Sequence, residues 1–336
     1  MAQDHIKLGH GSGGVLTRRL IEQTLLRFFP SPRLAPLPDS AWLDFAGTEL
    51  AFTTDSYVVD PLFFPGGDIG KLAVFGTVND LAVVGAVPQF VSCALIIEEG
   101  LPTTDLDAVL QSMQGAAEEA GVEVVTGDTK VLPRGKADGL FINTAGIGTL
   151  PQDGRRPGGR MVPGDCIVVS GPVGDHGAAV LSRREGISLD VAVPSDCAPL
   201  TAVAQAVLGS AQRVPFLRDP TRGGLATILN EATDPETPGL ILEEARTPVR
   251  DEVRALCEIL GLDPLYLACE GRLVAVVDPD SRDTVVAAAR AAPGGQGACV
   301  IGSVSERYDG QVVLETVLGT RRLLPMLSGE QLPRIC

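Results

Sequence analysis

Positive charge is scarce in this chain. Its 336 residues carry 27 Lys and Arg against 42 Asp and Glu, a formal net charge of −15. Such a surface repels phosphate, which excludes nucleic acid and anionic membranes as main partners. It suits sites in which carboxylates hold cations. Histidine is scarcer still, with three residues and no HxxxH or Cys/His pairing, which argues against zinc. The seven cysteines, Cys93, Cys166, Cys197, Cys257, Cys269, Cys299 and Cys336, form no CxxC pair, and most lie in apolar runs. They read as reduced thiols of a cytoplasmic protein rather than a disulfide framework. There is no Walker A sequence and no GxGxxG. No apolar run reaches membrane-spanning length without Gly, Pro or charge, and the residues around Asp4, His5 and Lys7 do not read as a signal peptide.

What is present is a globular composition, 45% hydrophobic, long enough for two domains. Residues 9–14, Gly-His-Gly-Ser-Gly-Gly, feed a helical pattern through Leu20, Leu25 and Phe28. A Gly-rich loop at a helix start can cradle an anion, because its N–H groups are free and the helix dipole points at it. Residues 30–40 form a Pro-rich connector. A hairpin turning at Ala46-Gly47 is expected next, its second strand ending at Asp55. An apolar helix over 69–86 encloses Lys71, Asn79 and Asp80. A strand at 89–97 and a helix at 104–120 follow. A strand from Val122 runs into Gly127-Asp128-Thr129-Lys130, and a strand at 139–148 completes the half.

The Pro- and Gly-rich stretch 151–164 marks a domain boundary. Beyond it come a strand at Asp165–Ser170, a Gly-rich turn holding His176 at a helix start, and a helix over 199–211. The turn Asp219-Pro-Thr-Arg222-Gly-Gly leads into a helix at 225–232. A helix over 249–260, strands at Leu265–Glu270 and Arg272–Val277, a helix over 280–292 and strands at 298–304 and 311–315 complete the order. From about Gly319 the chain reads as a tail ending in Cys336. The alternation implies an α/β fold with domains at 41–152 and 160–318, preceded by a leader and helix over 1–40.

Asp55, Asp80, Asp128 and Asp219 sit at strand ends, in an apolar helix and at a Gly-rich turn. A buried Asp is costly unless paired or hydrogen-bonded. Several converging on one site repel without a divalent cation. Oxygen ligands of this kind suit Mg²⁺ bridging to nucleotide phosphates, with Lys71, Lys130 and Arg222 available to balance phosphate charge. ATP with Mg²⁺ is the natural ligand of such a set. His10 and His176, in Gly-rich turns, could touch phosphate or substrate, and a solvated side chain is the plainer reading of each.

Together these motifs resemble the HypE family, the carbamoyl dehydratases of nickel–iron hydrogenase maturation. They run Gly9-His-Gly-Ser-Gly-Gly, Thr54-Asp-Ser-Tyr, Gly76-Thr-Val-Asn-Asp-Leu-Ala, Thr126-Gly-Asp-Thr-Lys, Gly174-Asp-His-Gly, Asp219-Pro-Thr-Arg-Gly-Gly and the terminal Pro333-Arg-Ile-Cys. The internal motifs alone point to the wider superfamily of aminoimidazole ribonucleotide synthetase, selenophosphate synthetase and thiamine-monophosphate kinase; the Pro-Arg-Ile-Cys end selects HypE. The resemblance implies a two-domain α/β fold whose N-terminal domain forms a strand barrel across a homodimer. It implies ATP near His10, Gly11, Gly13, Lys71, Asn79, Asp80, Asp128, Asp219 and Arg222, and Mg²⁺ on Asp55, Asp80 and Asp128. Cys336 would receive a carbamoyl group from a HypF-type transferase and be dehydrated to a thiocyanate, with Glu270 and Lys130 catalytic. The cyanide would pass to a HypC–HypD scaffold, with Pro333 and Arg334 as docking features of the tail. Two other readings remain at this point: another ATP-dependent kinase or synthetase of the superfamily, and a non-catalytic thiol carrier.

Overall fold

The computed structural model describes residues 6–11, 14–29, 31–33, 37–151, 155–187, 192–327 and 334–336. Its first half is built on one sheet. Strands β1 (Ala41–Phe45) and β2 (Thr48–Tyr57) form the expected hairpin, with Phe45 opposite Thr48. Ala46 and Gly47 both take positive φ, 54° and 85°, which matches the twist of a two-residue hairpin turn. The short strands β3 (Phe63–Phe64) and β4 (Gly67–Asp68) lead into the helix Ile69–Val83. Asp68 caps that helix by accepting from the N–H groups of Gly70 at 2.7 Å and Lys71 at 3.1 Å. Strand β5 (Val87–Glu98), the helix Thr103–Ala120, β6 (Glu123–Leu132) and β7 (Leu140–Thr149) follow. The sheet order is β1-β2-β7-β5-β6, antiparallel except for β5 and β6, which the crossover helix joins in parallel.

The helix Ile69–Val83 is apolar on every side and buried on every side. One side covers the sheet through the odd-numbered residues Ala51, Thr53 and Tyr57 of β2. Another meets the helix Thr103–Ala120 so closely that a Cβ at Gly70 would collide with the Val109 carbonyl and the Met113 side chain. Among the described residues the opposite face of the sheet has no such cover. Phe52, Phe90 and Ile147 are exposed on it, and β6 is exposed along nearly its whole length.

The second half is a seven-stranded sheet. Its strands are β8 (Cys166–Val169), β9 (Phe216–Arg218), β10 (Gly239–Glu243), β11 (Val274–Val277), β12 (Cys299–Ser305), β13 (Val312–Glu315) and β14 (Arg321–Leu323). They lie in the order β14-β13-β10-β12-β8-β11-β9. The central pair β8 and β11 is buried at every position, as continuous apolar strands covered on both faces must be. The helices Asp175–Arg184, Thr201–Ser210, Gly224–Glu231, Asp251–Leu260 and Arg282–Ala291 accompany this sheet.

Three expectations change. Leu265–Glu270 is not a strand: Pro264–Tyr266 makes one 3₁₀ turn capped by Asp263, and the chain then runs irregularly along the seam between the halves. Strands β9 and β10 were missed, being three and five residues long with no usable alternation. The chain beyond Gly319 is not all tail, since β14 pairs with β13 and Leu324 is fully buried.

The contact at Gly70 gives a test of the packing. Gly70→Val is expected to cost about 1–3 kcal/mol, because the helix pair must separate to admit the side chain. Urea denaturation with an unchanged m-value is the measurement.

Candidate active site

A cleft of about 290 Å³ opens between the two halves. Its first wall is the end of β2, contributing Thr53, Asp55 and Tyr57, with Gly76 and Asp80 from the buried helix. Its second wall is the turn after β9, with Arg218, Asp219, Thr221 and Arg222, together with Glu231 and Glu270. Asp39 and Cys336 also line it.

Asp39, Asp80 and Asp219 each present a carboxylate oxygen within 4.8 Å of the other two. Burial pushes the Asp39 carboxyl up to about 8, with Arg218 pulling the other way through a direct ion pair. Burial also raises Asp219 to about 6. Asp80 is raised well above the carboxylate range by burial and then by Asp55, Asp219 and Asp39, although its Oδ2 accepts from the Thr53 hydroxyl at 2.8 Å. Asp55 is raised by burial, opposed by Arg222 and by the Tyr57 hydroxyl, which donates to it at 3.1 Å. One oxygen of Asp39 is buried with no hydrogen-bond partner among the described residues.

Glu270 is 2% exposed, and its Oε1 is likewise unpartnered among the described residues. Burial raises its carboxyl well above the usual range, with Asp219, Asp196 and Asp55 adding to the shift and Arg222 opposing it. Its backbone is held firmly. The N–H donates to Asp196 Oδ1 at 3.0 Å and the carbonyl accepts from Asn79 Nδ2 at 3.2 Å. Asn79 also donates to the Ala198 carbonyl and accepts from the Leu200 N–H. Its amide therefore ties the buried helix to the Glu270 carbonyl across the seam.

The chain end is seated at this cleft. Ile335 is buried in the core of the first half. The main-chain oxygen of Cys336 accepts from the Val58 N–H at 3.1 Å, and that of Arg334 accepts from the Asp60 N–H at 3.2 Å. Arg334 donates to the Val58 carbonyl and pairs with Asp138. His176, fully buried, takes the Ile335 carbonyl at 2.8 Å. Burial lowers the His176 imidazole from 6.5 to about 4, so it is neutral at pH 7. Burial pushes the Cys336 thiol up to about 12; Arg222 opposes this, and Glu270, Asp55 and Asp219 reinforce it.

The remaining sequence candidates lie elsewhere. Gly11 borders the cleft through its carbonyl, which accepts from Arg222 at 3.0 Å. His10 bonds back to Lys7 within its own turn, and Gly13 and Pro333 lie outside the described residues. Lys71 does not line the cleft; its Nζ reaches toward the Gly66 carbonyl and the face of Phe75. Asp128 and Lys130 form an exposed ion pair with each other on β6. Ser56 lies opposite Asn143, Asn143 opposite Ala94, and Ala94 opposite Asp128, three strand spacings in all. That places Asp128 about 14 Å from the β2 end, so it cannot join Asp55 and Asp80 within one chain. Asp39, Arg218, Tyr57 and Glu231 were not picked out from the sequence. The signal for Asp39 was an acid near the end of a Pro-rich connector, two residues before a strand.

Residues 38–150 match the family described as AIR synthase related protein, N-terminal domain, and residues 162–315 its C-terminal domain. The carbamoyl dehydratase HypE of Rhodobacter capsulatus is 48% identical over 339 aligned residues, covering 100% of this chain and 99% of that protein. A crystal structure of the hydrogenase maturation protein HypE in complex with ATP has a TM-score of 0.82 and 50% identity, covering 99% of this chain and all of that one. A HypE–HypF complex structure gives 0.86 and 42%, covering 92% and 99%. Among the described residues no helix is long and apolar enough to cross a membrane.

The His176 shift sets a pH test. Its imidazole titrates near 6.5 unfolded and near 4 folded, so the unfolded chain binds more protons between those values. This contribution to stability is present above about 6.5 and is lost as pH falls toward 4. The excess stability of wild type over His176→Gln is expected to shrink by up to about 3 kcal/mol across that window, measured by urea denaturation.

Proposed function

Because the chain belongs to the HypE family of AIR synthase related proteins, we propose that it dehydrates a carbamoyl group carried on Cys336 to a thiocyanate at the expense of ATP. The single observation that carries this reading is the seat of Cys336, in an acidic cleft that also holds the buried Glu270 carboxyl, one oxygen of which has no partner among the described residues. A HypF-type transferase supplies the carbamoyl group. The γ-phosphoryl of ATP passes to the carbamoyl oxygen, giving ADP and an O-phosphorylated thiocarbamate. Loss of both N–H protons and departure of phosphate then leave –S–C≡N. Glu270 accepts a proton from nitrogen: burial makes it a stronger base than an ordinary carboxylate, and Arg222 keeps the ionised form accessible. The product cyanide leaves for a HypC–HypD scaffold, and the setting is cytoplasmic.

The raised thiol of Cys336 fits this division of labour. A thiolate in this cleft faces carboxylates, so the cleft does not activate the sulfur as a nucleophile. A neutral, capped sulfur pays no such penalty. Carbamoylation therefore belongs to the excursion of the tail toward its donor, and dehydration to the seated state.

The donor set fits Mg²⁺, being all carboxylate oxygen with one atom of Asp39 unpartnered. In one chain Asp39, Asp80 and Asp219, with Asp55 beside them, would hold it. Bound there, Mg²⁺ neutralises phosphate charge. The exposed apolar face of the first sheet is the surface for a second copy, closing a barrel across a homodimer. That pairing delivers Asp128 and Lys130 of one subunit toward the cleft of the other, which the single chain's register prevents.

Mass spectrometry of the C-terminal peptide tests the reaction. Carbamoylated protein with Mg-ATP is expected to lose about 18 Da, the mass of one water. Glu270→Gln is expected to slow that loss by about 10²-fold or more, as removal of a general base does; an unchanged rate rejects the assignment. Mixed dimers of Lys130→Ala and Cys336→Ala subunits test delivery across the interface. Each parent is inactive, and the heterodimer recovers activity only if Lys130 serves the partner's cleft.

A further inference from the structure

We propose that His176 is a positioning residue for Cys336: a neutral imidazole of fixed tautomer that holds the Ile335 carbonyl and so seats the sulfur in the cleft. The inference deepens the dehydratase reading and rests on it for the catalytic consequence alone.

The tautomer follows from the partners. A carbonyl oxygen can only accept, so the 2.8 Å approach of His176 Nε2 to Ile335 requires the proton on Nε2. Nδ1 is then a lone pair. It lies 2.8 Å from the Ser195 hydroxyl, which must donate to it. Ser195 has a lone pair left to accept the Cys197 N–H at 3.1 Å. The relay runs one way: Cys197 N–H to Ser195, Ser195 to His176, His176 to the tail.

The relay is itself fixed. The Ser195 N–H donates to the Pro65 carbonyl at 2.8 Å. The Phe64 ring stands edge-on to the imidazole, with centroids 5.3 Å apart and an interplanar angle of 89°. His176 belongs to the helix Asp175–Arg184 of the second half, whereas Phe64 and Pro65 belong to the first. From the same helix Arg184 donates to the carbonyls of Asp60 at 2.8 Å and Arg334 at 2.7 Å. The seated tail thus joins both halves through main-chain groups. None of these contacts involves the sulfur, so the clamp holds free, carbamoylated and cyanated Cys336 alike.

The test reads the seat of the tail separately from catalysis. Iodoacetamide alkylation of Cys336, followed by mass spectrometry of the terminal peptide, measures how often the thiol leaves the cleft. His176→Phe, which keeps a ring and removes the donor, is expected to raise that rate by roughly fivefold, the effect of losing one buried hydrogen bond. It is expected to lower the single-turnover rate of dehydration by a similar factor. His176→Gln, whose amide can still donate, is expected to lie closer to wild type in both. Ser195→Ala, remote from the sulfur, is expected to raise alkylation in the same direction and serves if His176→Phe does not fold. Wild-type alkylation rates in either folded variant overturn the proposal. If wild type shows no dehydration while alkylation still responds to these changes, the dehydratase reading fails and the clamp stands.

Discussion

Six carboxyl groups line one cleft, and their mutual repulsion is the constraint to which the surrounding structure answers. Asp39, Asp55, Asp80, Asp219, Glu231 and Glu270 are contributed by a connector, a strand, a helix interior, a turn, a helix end and a seam segment. At about 4 Å and an effective dielectric near 20, one pair of like charges costs about 4 kcal/mol. Two arginines, Arg218 and Arg222, reach the cleft, and hydroxyls of Thr53 and Tyr57 take part of the rest. The remainder is met by keeping carboxyls protonated or by a cation. Helix Ile69–Val83 can hold Asp80 in such a place because its buried apolar surface secures it, and because Asn79, one residue away, ties it to Ala198, Leu200 and Glu270 across the seam.

What the sequence made legible follows from the same physics. An Asp and an Asn inside an apolar helix are costly unless engaged, so Asn79 and Asp80 stood out as pattern violations, and both prove to be engaged. Asp219, Arg222 and the hairpin at Ala46-Gly47 were readable from turn chemistry. The relation between Asp55 and Asp128 was not. Both end motifs on strands of one sheet, but strand order is a long-range property, and β7 and β5 lie between them. Asp39 and Arg218 escaped for a related reason: their meeting is a contact across 179 positions of sequence, made by a connector and a three-residue strand with no periodic signal. His176 was singled out as a loop histidine, and its partner, the Ile335 carbonyl, is a main-chain atom that no side-chain pattern encodes.

The seam segment 264–271 shows why a strand-like sequence need not form a strand. Leu265-Tyr-Leu-Ala-Cys is apolar and short, as a buried strand is. Pro264 sets a turn, and the following backbone groups find partners outside any sheet: the Ala268 carbonyl accepts from the Gly177 N–H, and the Cys269 N–H donates to the Pro220 carbonyl. Those bonds bring the Gly-rich turns after Gly174 and Asp219 against one another. Gly224, at a φ of +60°, would place a Cβ against the Leu265 and Leu267 carbonyls, so glycine is needed there for close approach as well as conformation. The irregular backbone is what lets Glu270 point into the cleft from an otherwise apolar run.

The seat of the tail separates two tasks that a single pocket would otherwise confuse. Backbone hydrogen bonds at Val58, Asp60, His176 and Arg184 hold Arg334–Cys336 by features common to any peptide, so they are blind to what the sulfur carries. The cleft beyond them is charged, so it is sensitive to that cargo. A thiolate meets Glu270, Asp55 and Asp219 and is disfavoured, while a neutral capped sulfur is not. A phosphorylated intermediate adds negative charge exactly where the acids crowd, which the single chain's two arginines do not balance. Charge balance at the reacting group is the reason the proposed reaction calls on cations from outside this cleft, for which we propose a divalent ion on the carboxylates and the Lys130 ammonium of a second subunit. On that proposal the exposed apolar face beside β6 and the surplus of acid in the cleft are two ends of one requirement.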